Sequence, residues 1–451
     1  MHAFSRLRPR RIQLRLGLSA TAFCALVPIA ALAQSTDATG NFAKDVDAQI
    51  ARHYTSVEGL YKDLHASPEL AFEEIQTAKK LAKELRDLGF EVTEGVGKTG
   101  VVGLLRNGAG PTVMVRTELD ALPMEEKTGL PYASKVKTTY LGKETFVAHS
   151  CGHDLHMASW VGTAKTLAAL KAHWKGTLMF VAQPAEEVLG GAKAMLADGL
   201  FTRFPKPNFA FALHTWPMPV GAVGFNVGAV TSNSDAFEAT FPGRGAHGSA
   251  PDKSIDPVLI ASKFIVDVQS VISREKDPFQ FGVFSVGSIQ GGTSGNIIPD
   301  HVSLRGTIRS YDAAVRTKMH DGIKRTAKAV AAMAGAPDPE VKIISGGDAV
   351  INDAALVQRT EAALKAALTG PVLRLPPITP SEDFAEYVNA GVPGMFFLVG
   401  VHDATQVDAS RQPGGKPLPG NHSPFFAPLP EPSIKTSMKA MSIAVLTALQ
   451  R

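Results

Sequence analysis

Cysteine is almost missing from this chain of 451 residues, which holds only Cys24 and Cys151. Cys24 lies in an N-terminal stretch that reads as a removable leader, so the mature chain keeps one thiol. That excludes an internal disulfide framework. Net charge is missing too. Residues 1–33 carry Arg6, Arg8, Arg10, Arg11 and Arg15 with no lysine or acidic residue, so removing them turns the formal +4 into −1. A near-neutral mature chain has no electrostatic footprint for nucleic acid. Beyond the leader no apolar run reaches the roughly 20 residues of a membrane span. Repeats and low-complexity tracts are also lacking, which leaves a folded globular chain whose length suggests two domains.

The leader has the order of a secretory signal. Arginines come first, then an apolar run from Leu16 to Ile29, then Ala31-Leu32-Ala33 ahead of Gln34. A membrane anchor is the alternative, but the run is short and ends in small residues suited to cleavage. The expectation is a periplasmic or secreted protein. A lone exported thiol must be buried or bound. Cys151, with His149 before it and Gly152-His153 after it, reads as a ligand thiolate for a metal such as zinc.

Hydrophobic spacing predicts helices over Phe42 to Ala66 and Glu73 to Leu88, then strands near Glu91–Thr93, Val101–Leu105 and Val113–Val115. Helix 157–172, strand 177–182, helix 189–197 and strand 209–213 follow, an alternation that argues for an α/β sheet covered by helices. Three groups of polar side chains fall just past predicted strand ends: Glu118 with Asp120, Glu186 with Glu187, and His214. Open α/β sheets place their ligand sites at that edge. From Asp235 the pattern changes to strand, helix 257–273, strands 281–289 and 301–309, helix 312–334 and strand 341–344. This is a split βαβ, ferredoxin-like insert. Helix 353–368 and strand 395–399 then return to the first unit. The expected division is a signal over 1–33, a catalytic domain over 34–232 and 345–451, and an inserted lid or dimerisation domain over 233–344.

An isolated pair such as Glu186-Glu187 reads as a solvated surface. Here it sits behind Gln183-Pro184-Ala185 at a strand end, matched to a Cys-Gly-His motif. The segments Arg116–Pro123, Cys151–His156, Gln183–Glu187, Leu213–Pro217, Gly243–Gly248, Ser381–Phe384 and Asn421–Pro424 occur in that order. Together they resemble the M20 metallopeptidase family, in its amidohydrolase branch of hippurate hydrolases, auxin-conjugate hydrolases and N-acyl-amino-acid deacylases. The resemblance spans about Phe42 to Leu446.

The resemblance implies a zinc-peptidase-like mixed sheet and two divalent metal ions. Cys151, His153, Glu187, His214 and His422 match the ligands. That donor set suits Zn²⁺, or Mn²⁺ or Co²⁺, better than Ca²⁺ or Mg²⁺. Glu186 matches the general base, and Asp120 the residue that orients a ligand. His247 matches a histidine that stabilises the oxyanion, often across a homodimer formed through the insert. Asn296 and Arg309 are candidates for the substrate's oxyanion or carboxylate. Glu118 stands where the branch usually has Asp, which leaves open whether its longer arm reaches the metal. Asp154 reads as a cap for the following helix, and His156 as a residue that packs or that contacts the ligands from behind. The substrate implied is an N-acyl amino acid or a dipeptide. Two rivals remain at this point: a catalytically silent binding relative of the same fold, and a cysteine hydrolase using Cys151 with a histidine base.

Overall fold

A computed structural model describes residues 36–450. The leader expected over 1–33, with Cys24, lies outside the described residues. Along the chain run α1 (Thr36–Ala66), α2 (Ile75–Asp87), β1 (Glu91–Val96), β2 (Gly100–Asn107), β3 (Thr112–Glu118), α3 (His153–Ala169), β4 (Gly176–Gln183), α4 (Gly191–Ala197), β5 (Phe209–Pro219) and β6 (Val223–Phe225). Then come β7 (Ser234–Pro242), α5 (Pro257–Asp267), β8 (Gly282–Gln290), β9 (His301–Ser310), α6 (Ala313–Met333) and β10 (Glu340–Gly347). The chain closes with α7 (Ala354–Ala367), β11 (Val372–Arg374), β12 (Gly394–His402) and α8 (Pro430–Leu449).

Eight strands form one sheet in the order β1-β2-β4-β3-β5-β12-β6-β11. Its middle is parallel, with β3 beside β4 and β5, and β5 beside β12. The β1–β2, β2–β4 and β12–β6 pairs are antiparallel. Strands such as β3 and β12 are buried along almost their whole length, as expected for a sheet covered on both faces. One face packs against α1, α3, α7 and α8, and the other against α4 and the Phe384–Tyr387 turn. Among the described residues no helix is long and apolar enough to cross a membrane.

The second sheet is antiparallel, in the order β8-β9-β7-β10, with α5 and α6 on one face over Phe237, Phe264 and Phe284. Counted within the insert, that is the split βαβ order the sequence predicts.

Several boundaries differ from the sequence expectation, each for a physical reason. Strand 209–213 continues as β5 to Pro219, so His214 sits inside a strand rather than past its end. Helix 157–172 begins four residues early, at His153, because Gly152 adopts φ +88 and starts α3 from a left-handed turn. A side chain at 152 would collide there, since an ideal Cβ lies 2.5 Å from Thr215 Oγ1. Asp154 therefore lies in the first turn and does not cap the helix. Helix 257–273 ends at Asp267 and is followed by a wider turn over Val271–Glu275. The spacing did not mark α8 at all. It is buried on nearly every side, so it lacks the one-sided stripe that betrays α2.

Candidate metal centre and cleft

Four segments meet at the carboxyl edge of β3, β4 and β5. The turn after β4 carries Glu186 and Glu187, β5 carries His214, and the start of α3 brings Cys151 and His153. His422 arrives from 420–422, a loop tied down by its own amide bonding Ser150 O at 2.8 Å and by Asn421 Nδ2 donating to Cys151 O at 2.9 Å. Residues that span most of the chain thus share one rim.

The hydrogen bonds decide which atoms face inward. His153 Nδ1 donates to Asp120 O at 2.8 Å, leaving Nε2 buried and unpartnered, 3.8 Å from Glu187 Oε1. His214 Nδ1 donates to Thr215 O at 2.8 Å, leaving Nε2 3.4 Å from Cys151 Sγ. His422 Nε2 lies 3.2 Å from Glu187 Oε2. Donor atoms of Cys151, His153 and Glu187 all fall within 4.8 Å of one another, and Glu187 Oε1 is buried without a partner. The imidazoles of His153 and His214 are each locked by one nitrogen to a carbonyl and offer the other, the arrangement that metal-binding histidines require. A thiolate, imidazoles and one carboxylate suit zinc and its neighbours. The residues present fit the metal.

His156 is part of a second grouping, with Glu118, His153 and His214. Both its nitrogens are engaged, however. Nε2 accepts from Thr215 N at 2.8 Å and Nδ1 faces Glu118 Oε2 at 3.1 Å, so His156 is a brace and not a ligand. Glu118 belongs to the same grouping, with one oxygen bonding Arg116 and the other His156. Asp120 Oδ2 accepts from Glu187 N at 2.9 Å. His149 is fully buried with neither ring nitrogen bonded, and burial lowers its pKa to about 4.

Behind the rim lies a cluster that sequence motifs touched without assigning roles. Arg116 is fully buried, with Nη2 bonding Glu382 Oε1 at 2.7 Å and Asp383 Oδ1 at 2.9 Å, and Nε bonding Gln183 Oε1 at 3.0 Å. Four carboxylates crowd one guanidinium: Glu118, Glu186, Glu382 and Asp383. Burial first, and then Glu382, Glu187 and Asp383, push the Glu186 carboxyl well above the usual range. Such an excess of negative charge is what a divalent cation at the rim relieves. Burial, then Glu187 and Glu186, push the Cys151 thiol up as well. A thiol nucleophile needs the opposite shift.

The Glu186-Glu187 turn is strained. Ala185, a buried non-glycine residue, has φ +51, and His422 has φ +67. Each costs on the order of 1–3 kcal/mol and persists only where surrounding bonds enforce it.

A cavity of about 870 Å³ opens from this rim toward the inserted sheet, lined by Glu186, Glu187, Leu189, Trp216, Phe281 and Arg309 among others. Arg309 is half-buried there, donating to Ser381 Oγ at 2.6 Å, so it is no plain strand-surface charge. His247 and Asn296 do not join the lining. They lie together on an exposed part of the insert, where His247 pairs with Ile297 and Gly248 N bonds Asn296 O at 2.7 Å.

Residues 114–412 match the model of peptidase family M20/M25/M40. The chain belongs to peptidase family M20. It is 35% identical over 352 residues to the N-acetylcysteine deacetylase of Bacillus subtilis, covering 77% of this chain and 89% of that enzyme. It is 41% identical over 290 residues to the hippurate hydrolase of Campylobacter jejuni, covering 63% and 72%. These relatives put the M20 chain in the amidohydrolase branch. Among solved structures, a dinuclear metal-binding M20 peptidase from Bacillus subtilis superposes with a TM-score of 0.73 at 30% identity, covering 88% of this chain and 99% of that one. The M20 fold explains why such distant segments converge: the cluster sits at the edge where the parallel strands end.

Proposed function

We propose that this M20 protein, a metal-dependent amidohydrolase, cleaves the amide bond of N-acyl amino acids or dipeptides with Glu186 as general base. The observation that carries it is the position of Glu186. It is a buried carboxylate 3.8 Å from the free nitrogen of His153, and it opens on a cavity that also holds an arginine. Divalent ions held by Cys151, His153, Glu187, His214 and His422 would supply a Lewis acid that polarises the scissile carbonyl and acidifies the attacking water. Glu186 takes that water's proton at a carboxylate oxygen and passes it to the departing amine. Arg309 meets the free carboxylate of the amino-acid half, while Leu189 and Phe281 exclude water from the acyl half. The test is turnover of a panel of N-acyl amino acids and dipeptides on metal-loaded protein. Hydrolysis of none of them would sink this reading in favour of a silent binding relative.

His247 and Asn296 enter the same reading through a second copy of the chain. β8 is an edge strand that exposes Ile289 (62%), and α5 of the same insert exposes Leu259 (56%) and Val266 (70%). An exposed edge with apolar neighbours favours pairing with a like edge. Such a homodimer is the arrangement in which His247 stabilises the oxyanion in its partner's site. His247→Ala is then expected to lower kcat by about 10²–10³-fold with zinc content unchanged. An unaltered rate, or a fully active protein that light scattering shows to be a monomer, would leave His247 with only its pairing to Ile297.

The reading also includes export, supported by the basic, then apolar, then small-residue order of 1–33. Mass spectrometry of the protein from a secreting host should find an N-terminus at Gln34. An intact Met1 would retire the leader.

A further inference from the structure

The turn that carries Glu186 and Glu187 is held by two carboxylates, of which Asp120 is one. The other is Glu74, a residue to which neither the motifs nor the family resemblance gave a role. Glu74 immediately precedes α2 and is completely buried. None of its hydrogen-bond partners is a cation. Its Oε1 accepts from the backbone amides of Phe72 at 2.9 Å and Ala185 at 2.8 Å, while Oε2 accepts from Thr99 Oγ1 at 2.5 Å. Both of those amides belong to non-glycine residues with positive φ, Phe72 at +64 and Ala185 at +51. A buried acid is costly unless its oxygens are satisfied. This one is satisfied by the strained backbone positions themselves.

Ala185 is the residue before Glu186. Its amide is anchored to Glu74, and the amide of Glu187 is anchored to Asp120 Oδ2 at 2.9 Å. The two adjacent glutamates are thus bracketed by two buried acceptors reaching in from different parts of the chain, one from the head of α2 and one from the loop after β3. Thr99 fixes the Glu74 carboxyl in turn, so the acceptor has little freedom to follow a drifting turn.

We propose that Glu74 is a positioning residue: its Oε1 pins the Ala185 amide, so that Glu186 is aimed into the cleft while Glu187 faces the imidazoles. This rests on the roles given above to Glu186 and Glu187. What the turn requires is an acceptor at the right reach, not a negative charge.

Two conservative variants separate those requirements. Glu74→Gln keeps the reach and the carbonyl acceptor and removes the charge, whereas Glu74→Asp keeps the charge and withdraws the acceptor by one methylene. At saturating zinc, Glu74→Gln is expected to stay within about threefold of wild type in kcat, while Glu74→Asp falls about 10²-fold with KM nearly unchanged, the size of effect that a misplacement of about 1 Å produces. Chelator competition gives an independent readout. Zinc affinity should weaken about tenfold in Glu74→Asp and stay at the wild-type value in Glu74→Gln, as for other groups that orient metal ligands. A merely structural role would lower the melting temperature without separating the two variants in kcat or zinc affinity. Equal impairment of both, the reverse order, or wild-type values in Glu74→Asp would overturn the proposal. If the wild type cleaves no N-acyl amino acid, the functional reading fails by itself, and the zinc competition still decides Glu74.

Discussion

Glu186→Gln is expected to lower kcat on N-acyl amino acids by about 10²–10⁴-fold, the usual contribution of a general base. The substitution keeps volume and hydrogen-bonding capacity, and Glu186 is not in the proposed ligand set. Metal content by atomic absorption should therefore remain that of the wild type. KM should change little, because Arg309 and the apolar walls of the cavity are untouched. Loss of turnover together with loss of zinc would mean that Glu186 is a ligand after all. Wild-type turnover in the variant would remove it from the reaction.

Stripping the metal is the second large effect. Dialysis against a chelator should bring turnover to background, and zinc, manganese or cobalt should restore it. The fold should survive, since both core layers of the large sheet are packed without the rim residues. The melting temperature should fall, however, because a ligand that binds only the folded state contributes about 4 kcal/mol at a thousandfold excess over its Kd. The unpartnered Nε2 of His153 and Oε1 of Glu187 are the atoms left exposed to that loss. Full turnover in the stripped protein would favour the cysteine hydrolase, with Cys151 and His214 as its pair 3.4 Å apart.

Much of the fold is legible in the chain because most elements have one wet side. The helix α2 buries Ala78, Leu81, Ala82 and Leu85 at helical spacing, and its sequence says so. By contrast α3 is buried nearly all round, packed tightly enough that a Cβ at Gly162 would lie 2.6 Å from Met438 Sδ of α8. A helix without a polar face leaves no period to read, so spacing sets the start of α3 too late and gives no sign of α8. The start of α3 matters to function, because it makes His153 the first helical residue and fixes its ring against Asp120.

The site divides in the same way. Cys151, His153, Glu187, His214 and His422 stand out by residue type and by ordered motif, and all five reach one rim. Arg116, Glu382 and Asp383 sit within quoted motifs, yet their mutual ion pairs join positions 266 and 267 residues apart and carry no local signal. Glu74 is less legible still, because an acid ahead of an amphipathic helix looks like ordinary first-turn chemistry.

By itself the sequence determined the chemistry available to this protein: a thiol at Cys151, imidazoles and paired glutamates at strand ends in an α/β chain with an α+β insert. Those follow from residue type and spacing, which are local properties. Only the tertiary structure decided which atom of each residue does what. His153 offers Nε2 because the carbonyl of Asp120, in the loop after β3, takes its Nδ1. His156 is withheld because Thr215 and Glu118 occupy both its nitrogens. Glu118 has both its oxygens engaged, by Arg116 and His156. Hydrogen bonds between residues far apart in the chain set tautomers and side-chain directions, and these partners are chosen by folding, not by neighbourhood in the chain.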